Sequence, residues 1–209
     1  DLVTAHDGTT QDYAVTVTVE LSDAKDITSF SFTDSDNTAL SSDITATISG
    51  TAISATVPYG TDITALIAAF TITGVSVNVD SISQSSGATS NDFSSDVTYV
   101  VTAPDGTTQD YAVTVTVELN DAKDLTSFSF TDSDNTALSS DITATISGTA
   151  ISATVPFGTD VTALIATFAT TGDSVTVSSI TQTSGTTDND FTSSLTYQAT
   201  AEDSSTQDY

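Results

Sequence analysis

The feature that most limits what this chain can fold into is a gapless internal repeat. Residues 14–111 align with residues 112–209 at a constant offset of 98, and the two copies differ at 22 of 98 positions. Thr9 to Leu21 recurs letter for letter as Thr107 to Leu119, and the same motif opens again at Thr206-Gln207-Asp208-Tyr209. A period near 100 residues has the size of a self-sufficient domain and is far longer than a solenoid unit. The chain therefore reads as whole domains in tandem, with residues 1–13 matching the tail of a further period.

Composition removes several function classes. Two lysines, no arginine and 28 acidic residues give a net charge of -26, so nucleic acid and anionic membrane surfaces repel the chain. Glu20, Glu118 and Glu202 are the only glutamates; the remaining acid is aspartate, a residue of turns rather than helices. Hydrophobic residues make up 37% of the chain and alternate with Thr and Ser, the pattern of a folded β-protein and not of an acidic disordered tail. Cysteine is absent, which removes disulfides and thiolate sites. No apolar run approaches the roughly 20 residues of a helical membrane span, so no membrane insertion is expected.

Taken in order, one period predicts seven short strands. Ile27 to Phe32 places Phe30 and Phe32 on one face and Ser29 and Ser31 on the other. Ile44, Ala46 and Ile48 alternate with polar residues, and Gly50-Thr51 turns the chain into Ile53, Ala55 and Val57, a tight hairpin. Pro58-Tyr59-Gly60 breaks the alternation, and Thr61 or Asp62 is expected to cap a single helical turn that sends Ile63 and Leu66 inward. Ala68, Phe70 and Ile72 resume period two, Gly74 turns the chain, and Val75, Val77 and Val79 follow. Ser83 to Asp92 reads as a loop. Val97, Tyr99 and Val101 form a sixth strand, and Pro104-Asp105-Gly106 turns into a seventh carrying Val113, Val115 and Val117 inward. The expected fold class is all-β, a tandem of Greek-key sandwiches of the immunoglobulin type without the usual Cys and Trp landmarks. The expected domains are residues 21–118 and residues 119–209, the latter lacking its last strand. Residues 1–20 are expected to be the final strand or strands of a preceding repeat, or a donor strand.

Three runs, Ile27-Thr28-Ser29-Phe30-Ser31-Phe32, Asn37 to Gly50 and Ala55 to Leu66, carry a family resemblance. Together with Asn91-Asp92-Phe93, Val97-Thr98-Tyr99 and Asp105 to Tyr111, they resemble the tandem Ig-like repeats of secreted bacterial surface proteins and large adhesins. The resemblance covers the whole chain and departs from the usual pattern in the acidic Asp34-Ser35-Asp36 loop. It implies a stalk or spacer at the bacterial cell surface and brings no catalytic residues.

The sharpest chemical candidate is calcium, a hard ion that takes six to eight oxygens. Acids cluster where domains should meet, at Glu20, Asp23 and Asp26 and again at Glu118, Asp121 and Asp124, and a second pair of candidates lies in the loops at Asp34 and Asp36 and at Asp132 and Asp134. No EF-hand spacing is present, and a solvated acidic linker partly offset by Lys25 and Lys123 is the simpler reading. A Lys-Asn isopeptide crosslink at those lysines would need a buried lysine beside a carboxylic acid, and both sit in polar segments. Outward Thr arrays such as Thr114 with Thr116 suit an ice- or glycan-binding face, although β-branched residues commonly line the wet side of a sheet. His6 is the only histidine and no Gly-x-Ser-x-Gly elbow occurs, so no enzyme is expected.

These readings lead to a structural module: Ig-like domains forming the shaft of an extracellular surface fibre or adhesin, with identical neighbouring domains or subunits, joined head to tail, as partners. The alternatives are a donor-strand-exchanged filament subunit, in which Ala14 to Glu20 fills the gap after Tyr209, and a calcium-dependent ligand-binding module.

Overall fold

The computed structural model describes residues 1–209 and is all-β, divided into two units, Asp1–Val117 and Glu118–Tyr209. The first unit opens with a hairpin of β1 (Leu2–Thr4) and β2 (Thr10–Asp12), every residue of it exposed. Its sandwich is built from β3 (Ile27–Phe32), β4 (Ile44–Thr45), β5 (Thr47–Ser49), β6 (Ala52–Val57), β7 (Leu66–Ile67), β8 (Ala69–Ile72), β9 (Ser76–Val79), β10 (Ile82–Ser83), β11 (Ser90–Asn91), β12 (Val97–Thr102) and β13 (Thr108–Val117). One sheet runs β4-β3-β8, the other β10-β9-β12-β13-β6-β5, and β7 pairs with β11 at the side.

All seven expected strands form, and the departures have local causes. In β3 both Ile27 and Phe30 are buried although three residues apart, because the pairing with β8 slips between Ile27 and Ser29; the bulge restores the inward face. The single alternating run from Ile44 to Ser49 is two strands. Ile44 and Thr45 pair with β3, whereas Thr47 to Ser49 pair with β6 in the opposite sheet, so Ala46 is the corner where the chain changes layers. The hairpin that follows turns at Gly50-Thr51 with φ +61° at Gly50 only, as a type II′ turn requires.

The expected helical turn after Gly60 is absent. Thr61 is held instead by its own hydroxyl and amide, both donating to the Pro58 carbonyl, and Asp62 closes a side-chain turn onto Thr64. The segment read as a loop from Ser83 to Asp92 carries β11 and the end of β10. The β9–β10 hairpin escapes sequence reading because its two-residue turn, Asp80-Ser81, takes positive φ at both positions without glycine or asparagine; type I′ geometry usually announces itself through those residues. Val75 is 64% exposed rather than inward, in keeping with Asp173 at the same place in the second copy.

The core of the first unit is aromatic. Phe30 meets Phe32 edge-on with centroids 5.6 Å apart and Tyr99 at 5.2 Å, and Phe32 meets Phe93 at 5.2 Å. Such pairs add about 0.5–1.5 kcal/mol each beyond the burial of their area. Closing the core falls to β13, which lies antiparallel to β12 and parallel to β6, with Val113 opposite Ile53 and Val115 opposite Ala55. Val113 is 0% and Val115 8% exposed, contributing about 1.5–3 kcal/mol for each fully buried valine side chain.

The second unit repeats this plan up to its last strand. Leu125–Phe130 pairs with Thr167–Thr170, and Tyr197–Thr200 pairs with Ser174–Val177 and Thr206–Asp208. The strand equivalent to β6 shrinks to Ala150–Ser152, and Ile151, Ala153 and Val155 are partly or fully exposed where Ile53, Ala55 and Val57 are buried. No strand stands beside it on the side that β13 takes in the first unit.

Phe32→Ala should destabilise the first unit by about 3–5 kcal/mol, whereas Val17→Ala, on an exposed segment, should stay within about 0.5 kcal/mol; denaturant unfolding of dilute protein followed by tyrosine fluorescence checks both.

Candidate functional site

The acids singled out for calcium do not converge: no group of three or more His, Cys, Asp or Glu side chains is placed to hold a metal ion. Glu20 and Asp23 lie exposed in the stretch before β3, and the Asp23 carbonyl accepts from Lys25 Nζ at 3.0 Å. Asp26 is tied to the fold through its main chain, donating to Thr73 Oγ1 at 2.7 Å, and its carboxylate accepts from Tyr111 at 3.5 Å. The second unit repeats the arrangement. Glu118 is exposed, the Asp121 carbonyl accepts from Lys123 Nζ at 2.9 Å, and the Asp124 carboxylate accepts from Tyr209 at 3.2 Å. Lys25 and Lys123 each donate a further bond to a hydroxyl, Thr107 at 3.1 Å and Ser205 at 2.9 Å. Neither lysine meets an asparagine side chain, which leaves the isopeptide chemistry without its second reactant.

In the loops, the carboxylates serve local turns. Asp36 accepts from Thr33 Oγ1 at 2.8 Å and Asp134 from Thr131 Oγ1 at 2.7 Å, while the amides of Asp34 and Asp132 donate to Asp43 and Asp141. The residue that matters there is the neighbouring asparagine. Asn37 is buried; its Nδ2 donates to the carbonyls of Thr33 and Ile67, and its Oδ1 accepts from the Ile67 amide at 2.7 Å. Asn135 does the same with Thr131 and Ile165. Three bonds to two separate backbone segments pin the loop to the sandwich, and a carboxylate could not make the two that Nδ2 donates because it has no proton to give.

A second, part-buried polar set ties the end of β10 to β11 and β12. Asn91 Nδ2 donates to Gln84 Oε1 at 2.9 Å and to the Tyr99 hydroxyl at 3.0 Å, and Asn189, Gln182 and Tyr197 repeat it. Burial pushes the Tyr99 and Tyr197 hydroxyls up to about 12, against a smaller downward pull from the asparagine donor. Seven exposed aspartates, among them Asp62, Asp105 and Asp203, shift the other way. The hydroxyl two residues on donates to each carboxylate, as does the amide of that residue, and both bonds favour the charged form.

The outward threonines remain a wet β-surface: Thr114 donates to Asp96 at 2.7 Å and Thr116 is exposed. A groove of about 560 Å³ in the second unit is lined by residues that include Phe128, Phe130, Ile151, Leu164, Phe191 and Leu195. Its lining is mainly apolar, with Thr192, Ser193 and Ser194 as polar residues on it.

Two copies of one β-sandwich, each with an aromatic core and no convergent polar centre, define a repeated β-domain module. The chain belongs to the family of surface glycan-binding protein N-terminal domains, whose model (SGBP, N-terminal) matches residues 27–115 and again 125–209. No curated protein matches it. Among solved structures, it is similar to a protein of Bacteroides thetaiotaomicron provisionally named a glycoside hydrolase. That similarity is at 25% identity and a TM-score of 0.36, over 62% of this chain and 34% of the other. A second, provisionally named a secreted protein of Bacteroides fragilis, shows 18% identity and a TM-score of 0.32 over 46% and 97%. The chain thus spans about a third of the length of the first of these.

Asn135→Asp should lower the stability of the second unit by about 1–3 kcal/mol for each buried partner it leaves unsatisfied, seen as an earlier denaturant midpoint. The tyrosines give an alkaline signature. Below pH 10 folded and unfolded chains both hold the phenol proton; above it the unfolded chain loses the proton while Tyr99 and Tyr197 keep theirs. Stability should therefore fall from pH 10 to about 12, with two of the six tyrosines titrating late in a phenolate absorbance titration.

Proposed function

We propose that this chain is a non-catalytic extracellular segment of a bacterial surface protein, whose sandwich domains act as a structural spacer in a fibre or adhesin shaft. The observation that carries this reading is the duplication itself. The same core, the same asparagine pin and the same tyrosine network occur in both copies, so what is repeated is a scaffold. Family membership supports a place at the cell surface, because the family is named for surface glycan-binding proteins and the match is to their N-terminal part. The acidic, lysine-poor composition keeps such a segment soluble and away from anionic surfaces.

The test is a glycan-array and calorimetry screen of the full chain together with small-angle scattering. No glycan binding, no calcium heat at millimolar concentration, and a particle longer than a single domain are expected. Glycan binding that is lost on substituting surface residues would overturn the spacer role in favour of a ligand-binding one, and a calcium heat with a raised melting temperature would restore the metal-dependent module.

A further inference from the structure

With two lysines and no arginine, the chain offers only two bonds, Lys25-Asp26 and Lys123-Asp124, to a protease that takes a basic side chain into its specificity pocket as trypsin does. Each lies in a polar stretch outside any strand, just ahead of Ile27–Phe32 or Leu125–Phe130. Such stretches are where nicking concentrates when the backbone is free. Here it is tied down. To cut, the enzyme must draw the lysine side chain into its pocket and the lysine carbonyl into its oxyanion hole, where the serine attacks. Lys25 is half-buried, and its Nζ donates to the Asp23 carbonyl at 3.0 Å and to Thr107 Oγ1 at 3.1 Å. The Thr107 hydroxyl donates in turn to Asp105 at 2.7 Å, and the Asp105 amide donates to the Ser22 carbonyl at 3.1 Å. The cleavable bond itself is held on both sides. The Lys25 carbonyl accepts from the Tyr111 hydroxyl at 3.4 Å, and the Asp26 amide donates to Thr73 Oγ1 at 2.7 Å.

The second unit builds the same arrangement. Lys123 Nζ donates to the Asp121 carbonyl and to Ser205 Oγ, both at 2.9 Å, the Asp203 amide donates to the Asn120 carbonyl at 3.2 Å, and the Asp124 amide donates to Thr171 Oγ1 at 2.8 Å. Two of these positions differ between the copies, Thr107 becoming Ser205 and Ser22 becoming Asn120. Each change keeps the group in use, a hydroxyl in the first case and a main-chain carbonyl in the second. We propose that residues 22–26 and 120–124 are straps that conceal both bonds from proteases of trypsin-like specificity, so that the folded chain is cut only when a strap lifts. Lifting breaks a few hydrogen bonds and leaves the sandwich closed, which makes it a local opening, and cleavage follows the population of the lifted state. The proposal is independent of the spacer role.

Trypsin digestion of the full chain, followed by mass spectrometry of the products, tests it. The native chain is expected to survive at least about 100-fold longer than the same chain unfolded in urea. Thr73→Val and Thr107→Val lie at exposed positions, and each removes one acceptor from the first strap. Each should speed cleavage after Lys25 about tenfold, the effect of losing one hydrogen bond. Cleavage after Lys123 should stay at the wild-type rate, so the second unit serves as a control within the same molecule. Because a lifting strap exposes little surface, the faster cleavage should be almost insensitive to dilute urea. Prompt cutting of the native chain at either lysine, variants cut at the wild-type rate, a rise at both lysines together, or a rise that climbs with urea as steeply as global unfolding would each overturn the proposal.

Discussion

The parallel pairing of β13 with β6 is the contact on which the rest of the first unit depends. It joins residues 60 apart in sequence, Ile53 and Val113, and it turns two half-covered layers into one enclosed core. The edge-on aromatic cluster of Phe30, Phe32, Phe93 and Tyr99 shares its core with Val113 and Val115 of β13. In the second unit the strand equivalent to β6 has three residues rather than six, and Phe191 and Leu195 are half-buried where Phe93 and Val97 are buried. Its aromatic contacts nevertheless persist, with Phe128 and Tyr197 edge-on at 5.0 Å.

Hydrophobic alternation made most of this architecture legible. Strands whose one face is buried and other face is wet must alternate, so β6, β12 and β13 could be read residue by residue. What could not be read depends on contacts that leave no period. The layer change at Ala46 looks like an uninterrupted strand because both halves keep their inward face toward the same core. The Asp80-Ser81 turn hides its hairpin because no glycine follows the aspartate to mark positive φ at both positions. The crossover after Pro58 drew a helical reading from a capping-like Thr-Asp pair, yet these side chains satisfy turns instead.

The polar chemistry was harder to see for a related reason. Carboxylates in the Asp34 and Asp132 loops invited a metal reading, but the group that organises each loop is the amide beside them, Asn37 or Asn135. An asparagine in an acidic turn is unremarkable as a letter; only its 30-residue reach to Ile67 or Ile165 marks it as a tether. The aspartates themselves are spent on hydroxyls and amides two residues downstream, as at Asp62 and Asp160. Much of the large negative charge thus has a local structural use, and the open groove lies clear of it.

The distance between Ile53 and Val113 along the chain also has a temporal meaning. A ribosome adding about 5–20 residues per second needs roughly 3–12 s to synthesise the 60 residues between them. Throughout that interval the nascent chain presents an unzipped apolar seam at Ile53 and Val57, and in a tandem of near-identical copies the strand that closes it is encoded more than once. The copy at residues 14–20 is made before Ile53 emerges, so order of synthesis alone does not select the strand at 112–117 that closes this sandwich; the turn that ties that strand antiparallel to β12 delivers it to the seam.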